Sequence, residues 1–215
     1  MKVLLVAPRT DLLLVNEEVQ SVLRSGLMVT PLIGTVTSRD LLKEIVSGNY
    51  DVLWFATHGD ATGVLLSDGI LSASELVPQV RERFRLVVLN TCQSLNVAQQ
   101  LQEEANVDVI CTILDVPDRQ AFQTGSLLAA ALFKSRNISA AYQRSKPGGN
   151  RLYLYLAALL PTEALLQPLM TEIKDLREQM TRNRIGQSRN LMITVGLHVA
   201  QALTLGYVLL TLLSR

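Results

Sequence analysis

The residues Asp51–Thr57, DVLWFAT, form a continuous apolar run, and Leu86–Thr91 and Val107–Ile113 are two more. A strand with one face in water alternates apolar and polar residues. These runs do not, so they belong in the middle of a parallel sheet covered by helices on both faces. Parallel neighbours need long crossovers, and helical stretches stand between the runs. Val3–Ala7 reads as a first strand, followed by a helix from about Asp11 to Ser25 that Gly26 ends. Leu27–Ile33 is a second strand, and Ser38 caps a helix running to about Val46. Further helices lie near Leu95–Ala105 and over Arg119–Ser135, the latter opened by Asp118 as N-cap. Arg151–Ala157 reads as a last strand after the turn at residues 146–150. The expected fold is α/β, a three-layer α/β/α sandwich over residues 1–160 with a mostly parallel sheet and right-handed crossovers.

One interval breaks the alternation. Between the third strand and Leu86, the turn Ser67-Asp68-Gly69 separates two apolar pairs and predicts a small hairpin of Val64–Leu66 with Ile70–Leu71. Ser72 and Glu75 then have capping-box spacing for a short helix whose length Pro78 limits.

Hydrophobic residues are 48% of the chain and charged residues 18%, against about 25% in ordinary domains. With a mean hydropathy of +0.26 this excludes a disordered chain and asks where the apolar excess is buried. From Asn190 to Ser214, 25 residues pass without Asp, Glu, Lys or Arg. As a helix, the 23 residues Leu191–Leu213 extend about 34 Å, enough to cross a hydrocarbon layer of about 30 Å. Residues 190–213 are therefore expected to be a transmembrane helix. Lys174, Arg177, Arg182, Arg184 and Arg189 precede it and only Arg215 follows, which puts the N-terminal domain in the cytoplasm of a single-pass protein of the cytoplasmic membrane. Val3–Ala7 is too short to serve as the apolar core of a secretory signal.

Two stripes point to self-association. Thr194, His198, Gln201 and Ala202 share one face of the span. Leu166, Leu169, Ile173, Leu176 and Met180, within the linking segment 161–189, keep heptad a/d spacing over about two repeats, and a helix lying on the N-terminal domain is the open alternative for them. A homo-oligomer or an activating partner protein is thus expected beside the lipid bilayer. Twenty Lys+Arg against 19 Asp+Glu leave a net charge of +1, which gives no field to recruit nucleic acid. The two cysteines, Cys92 and Cys111, make neither a disulfide framework nor metal-ligand spacing. No metal and no cofactor are expected, and a reducing compartment fits.

Ligands of open parallel sheets bind outside the carboxyl ends of the strands. There the sequence has Thr57-His58-Gly59-Asp60 after one apolar run and Asn90-Thr91-Cys92-Gln93 after the next. If the two strands are neighbours, about 4.8 Å apart, an imidazole and a thiol project into one crevice. That is what a thiol nucleophile and its acid/base partner need. The backbone N–H groups of Gly59 and Cys92 would then face a developing oxyanion, and a side chain at position 59 would crowd the scissile peptide. Spacing alone leaves the plain reading open, because a buried Cys is commonly an inert small hydrophobe and a lone His often satisfies a core hydrogen bond. Cys111 lies mid-strand and reads as structural, and His198 lies in the span.

The run LWFATHGDATGVLLSDGILSASEL (Leu53–Leu76), followed by LVVLNTCQS (Leu86–Ser94), resembles the CHAT branch of the caspase-like cysteine peptidases of clan CD. In that family an apolar strand ends in His-Gly, here His58-Gly59. A D-G-x-L hairpin and a short helix follow, here Asp68-Gly69-Ile70-Leu71, and an apolar strand then ends in a small-x-Cys motif, here Asn90-Thr91-Cys92. The stretch Ile110–Lys134 resembles the family's next strand, Val-Pro-Asp and helix, so the resemblance covers about residues 50–157.

The resemblance implies a caspase-like fold and a catalytic dyad of His58 and Cys92 that cleaves peptide bonds without metal or nucleotide. It also implies a defence or programmed-death effector switched on by a partner. Gln93, Ser94 and Leu95 stand where the family has an acidic residue, a small residue and Gly. Asp115, at the carboxyl end of the strand after the Cys strand, is the candidate reader of a basic P1 side chain, with Asn90 lining the same pocket; a turn carboxylate before Pro117 is its plain alternative. Two functions stand side by side: a membrane-tethered cysteine endopeptidase acting on cytosolic proteins, and an anchored, catalytically degenerate adaptor. A flavodoxin-like nucleotide binder is disfavoured, because Pro8-Arg9-Thr10-Asp11 follows the first strand where a Gly-rich phosphate loop would stand.

Overall fold

In the first strand Val3 and Leu5 pack to one side of the sheet and Leu4 and Val6 to the other, as a strand without polar alternation must. The computed structural model describes residues 1–146 and 151–159. The chain divides into two units, Met1–Leu159 and Leu160–Arg215, and the described elements lie in the first. In chain order they are β1 (Lys2–Pro8), α1 (Val15–Arg24), β2 (Met28–Gly34), α2 (Ser38–Ser47), β3 (Val52–Ala56), β4 (Gly63–Leu66), β5 (Gly69–Ser72), α3 (Ala73–Val80), β6 (Leu86–Asn90), α4 (Leu95–Ala105), β7 (Asp108–Thr112), α5 (Asp118–Lys134), α6 (Ile138–Ser145) and β8 (Tyr153–Leu156).

Six strands make one sheet in the order β2-β1-β3-β6-β7-β8. All neighbours are parallel except β8, which pairs antiparallel with β7. The hairpin β4-β5 is a separate two-stranded sheet in the predicted place. One core joins the sheet to α2, α3 and α4 through Leu41, Leu76 and Leu101; the other joins it to α1, α5 and α6 through Val22, Leu128 and Tyr142. Each fully buried Leu or Val in these layers contributes about 1.5–3 kcal/mol of transfer free energy. The chain leaves β1 through α1 on one face and β3 through α3 on the other. Where such connections part, the strand ends form a crevice, and here it opens above β1 and β3.

The structure departs from the sequence reading at four places. Helix α1 starts at Val15, not Asp11, because residues 9–14 are drawn off the helical path: Asp11 binds His58, and Leu13 N–H donates to Asp118 Oδ2 at 2.9 Å. Thr37, not Ser38, caps α2; its hydroxyl accepts from Asp40 N–H in a capping box, while Ser38 N–H turns to Asp68 in the hairpin turn. Asp118 is not the N-cap of α5, since Pro117 holds that place and Asp118 Oδ2 accepts from Leu13 N–H. Helix α6 was absent from the sequence reading. It is only eight residues long, and its signal is Asn137, whose side chain accepts from Ala140 N–H at 2.9 Å. The capping box of Ser72 and Glu75 is present, and Pro78 sits inside the eight-residue α3. The expected span at 190–213, the segment 161–189 and both association stripes lie outside the described residues. Among the described residues no helix is long and apolar enough to cross a membrane.

Candidate active site

Strands β3 and β6 are parallel neighbours with Ala56 opposite Asn90. Two residues further along each lie His58 and Cys92, so the register that pairs the strands also pairs these side chains. Both line one small cleft, together with Leu12, Val116 and Asp118. Its volume, about 20 Å³, is room for about one water. Leu12 lines it from the β1–α1 loop, which is pinned on either side of Leu12 by the Asp11 and Leu13 hydrogen bonds.

His58 Nε2–H donates to Asp11 Oδ1 at 2.6 Å. The hydrogen bond from His58 holds the Asp11 carboxyl below its ordinary value of 3.8, so it stays an anion. A carboxylate on Nε2 fixes the tautomer and leaves Nδ1 as the nitrogen with a free lone pair. The sequence reading missed Asp11, because its partner lies 47 residues away; the available signal was an acid just past the carboxyl end of β1. Asp60, the acid nearest His58 in sequence, is spent locally. Its Oδ1 accepts from Thr62 N–H at 2.7 Å, Thr62 Oγ at 2.6 Å and Gly63 N–H at 3.2 Å.

Cys92 is partly exposed. Its sulfur accepts from Val116 N–H at 3.5 Å and faces Val116 O at 4.0 Å, and no hydrogen bond joins it to His58. The turn that presents it is held from β7. Thr112 Oγ donates to Thr91 O, and Thr112 N–H donates to buried Ser94 Oγ at 3.0 Å. Gln93 takes a left-handed backbone at φ 49°, costing about 1–2 kcal/mol for a residue with a side chain. Its side-chain amide donates to Asp115 Oδ1 at 3.0 Å, which accounts for both residues at once. Asp115 is therefore an exposed partner of the nucleophile turn and not a lining residue of the cleft; Asp118 is the carboxylate that lines it. Asn90 does line the cleft, but its amide is engaged, donating to Ala121 O at 3.1 Å and accepting from Tyr153 O–H.

Gly59 pairs with Val64 through bonds made by its neighbours, Leu65 N–H to His58 O and Asp60 N–H to Gly63 O. Its own N–H therefore points away from the hairpin. Neither that N–H nor the N–H of Cys92 donates to a group among the described residues. A Cβ on Gly59 would meet Thr91 Cβ and Oγ at 2.9 Å and Gly63 O at 3.0 Å, so glycine is required here by Thr91 and the hairpin rather than by a substrate. The described residues hold no cluster of metal-ligating side chains.

An imidazole of fixed tautomer beside a half-exposed thiol and two free N–H groups is equipment for acyl transfer. Residues 11–109 match the family model of the CHAT domain. The match is a little under half of the chain and contains Asp11, His58 and Cys92; it starts and ends earlier than the motifs read at 50–157. The fold is similar to a crystal structure of the Arg-specific cysteine proteinase gingipain R (RGPB), with TM-score 0.50, 12% identity, 67% of this chain covered and 40% of that one. A complex of Porphyromonas gingivalis RgpB pro- and mature domains scores 0.49 at 11% identity, with 67% and 41% covered. The chain thus spans about 40% of the length of these proteins, and identity this low shows a shared fold. No curated protein matches the chain. The CHAT match and this mixed, mostly parallel α/β fold support a caspase-like cysteine protease fold.

Proposed function

We propose that the chain is a cysteine endopeptidase working through His58 and Cys92, oriented by Asp11 and tethered to a membrane by residues 190–213. The observation that carries the reading is the register of β3 and β6, which delivers an imidazole and a thiol to one cleft. For reaction the thiol exchanges its Val116 contacts for His58 Nδ1, which takes its proton while Asp11 stabilises the imidazolium. The thiolate adds to the scissile carbonyl, and the N–H groups of Gly59 and Cys92 meet the oxyanion. The intermediate collapses to a thioester as the imidazolium protonates the leaving amine. Water, deprotonated by His58, then releases the acid and restores the thiol.

Asp118 in the cleft, among lining residues that include no Lys or Arg, suits a basic P1 side chain. The Arg specificity named for gingipain R fits the same choice. The cleft has to widen first, by displacement of Leu12. The test is cleavage of fluorogenic peptides differing only at P1 (Arg, Lys, Leu, Asp) by wild type, Cys92→Ala and His58→Ala. Cleavage of the Arg or Lys peptide, lost in both variants, is expected; full activity in Cys92→Ala overturns the reading. The adaptor reading is favoured by one observation, the thiol bound to Val116 rather than to His58. It predicts that a thiol-directed activity probe labels Cys92 no faster than Cys111.

A further inference from the structure

Below the cleft, on the α1 side of the sheet, lies a carboxyl that the mechanism does not use. Glu18 of α1 is 2% exposed. Trp54 Nε1–H of β3 donates to its Oε1 at 3.0 Å, and the Asn90 amide of β6 donates to it as well. Trp54 lies four residues before His58 and Asn90 two before Cys92, while the loop that carries Asp11 leads directly into α1. The amide of Asn90 is thereby fully used, by Glu18, Ala121 and Tyr153. Gly125 of α5 leaves the room, since a Cβ there would lie 2.6 Å from Glu18 Oε1.

We propose that Glu18 is the positioning residue of this site: its buried carboxyl ties α1, β3 and β6 together behind the strand ends that carry His58 and Cys92, and its charge state sets the reactivity of Cys92. The proposal rests on the reading of Cys92 as the nucleophile. The groups that face Glu18 are Trp54 from β3, Asn90 from β6, Tyr153 from β8 and Gly125 from α5. Of these only Tyr153 ionises. Burial, with the Glu18 charge second, holds its phenol well above 10, so it stays neutral. Burial raises Glu18 from 4.5 to about 7, against the opposing hydrogen bonds of Asn90 and Trp54. The carboxyl is therefore neutral in mild acid and charged above neutrality. A carboxylate there puts a negative charge behind the strand end that carries Cys92, against the charge that a thiolate brings.

The test is the rate of iodoacetamide alkylation of Cys92 in the full chain from pH 5.5 to 8.5, resolved from Cys111 by peptide mass spectrometry. The ratio of Glu18→Gln to wild type removes the titrations of Cys92 and His58 themselves. The ratio is expected to be one at pH 5.5 and to rise to roughly threefold at pH 8, because glutamine keeps the hydrogen bonds and carries no charge. Trp54→Phe, which keeps the carboxyl and removes a donor, is expected to delay the loss of reactivity to higher pH; it carries the test if Glu18→Gln does not fold. Flat ratios in the variants that fold overturn the proposal. Alkylation needs no peptide cleavage, so the predicted pH signature in a chain that cleaves no peptide sinks the endopeptidase reading and leaves the role of Glu18 standing.

Discussion

Cys92 just past the end of β6 and Cys111 inside the neighbouring strand β7 occupy two different chemical worlds. Cys111 lies inside β7 with no exposure, and burial pushes its thiol up to about 12. Cys92 lies two residues past the end of β6, partly exposed, where the ladder has stopped and main-chain groups turn free. The thiolate is the nucleophile, so a thiol at 12 is inert at neutral pH whatever its sequence context. The difference teaches that in this fold the distance from the carboxyl edge decides chemistry, and that residue type comes second.

The largest expected effect separates the two cysteines outright. Cys92→Ala is expected to lower kcat/KM by at least about 10³-fold in the peptide assay. Its Tm should move little, because a half-exposed site away from the core changes stability by about 0.5 kcal/mol. Loss of both activity and folding together would put Cys92 in the same structural class as Cys111 and break the comparison.

How much of this was legible follows the same edge. Strands buried on both faces announce themselves by composition, so β3, β6 and β7 were readable from Asp51–Thr57, Leu86–Thr91 and Val107–Ile113. The hairpin was readable from Asp68-Gly69, because turn chemistry is local. His58 and Cys92 were readable because they follow strands at matching distances. Asp11 and Glu18 were not. Each acts through a partner far along the chain, His58 for one, Trp54 and Asn90 for the other, and within its own neighbourhood each looks like an ordinary acid near a helix start. For Asp115 the position after β7 was legible but its partner was not: Gln93, in its left-handed turn, donates to it.

The next effect concerns stability beneath the edge. Glu18 binds its proton more tightly folded than unfolded, so stability is highest in acid and falls as pH rises from 4.5 to about 7. The full difference corresponds to about 3 kcal/mol. Glu18→Gln should remove that slope from urea-unfolding curves taken across the window. An unchanged slope would mean that the carboxyl is as hydrated as a surface acid. Asp11, Asp40, Asp60 and Glu75 act in the opposite sense, since each is held below its ordinary value and loses its hydrogen bonds only in stronger acid.

A smaller effect is expected from Asp11→Asn. The residue is exposed, so folding should be untouched, while the amide no longer holds the Nε2–H tautomer of His58 as a carboxylate does. kcat should fall roughly tenfold with KM nearly constant, because only the proton-transfer steps are affected. A change in KM alone would place Asp11 in substrate binding instead.

The smallest effect returns to the inner cysteine. Cys111→Ala removes one sulfur from the core formed with α2, α3 and α4, a loss of about 1 kcal/mol, and should leave peptide cleavage as in wild type. Cys111→Ser sharpens the point. The hydroxyl is nearly the same size but needs a hydrogen-bond partner that an apolar core does not offer, so it should cost a further 1–3 kcal/mol or so. If serine is tolerated as well as alanine, water reaches the middle of β7, and the boundary between edge and interior lies deeper in the sheet than Cys92.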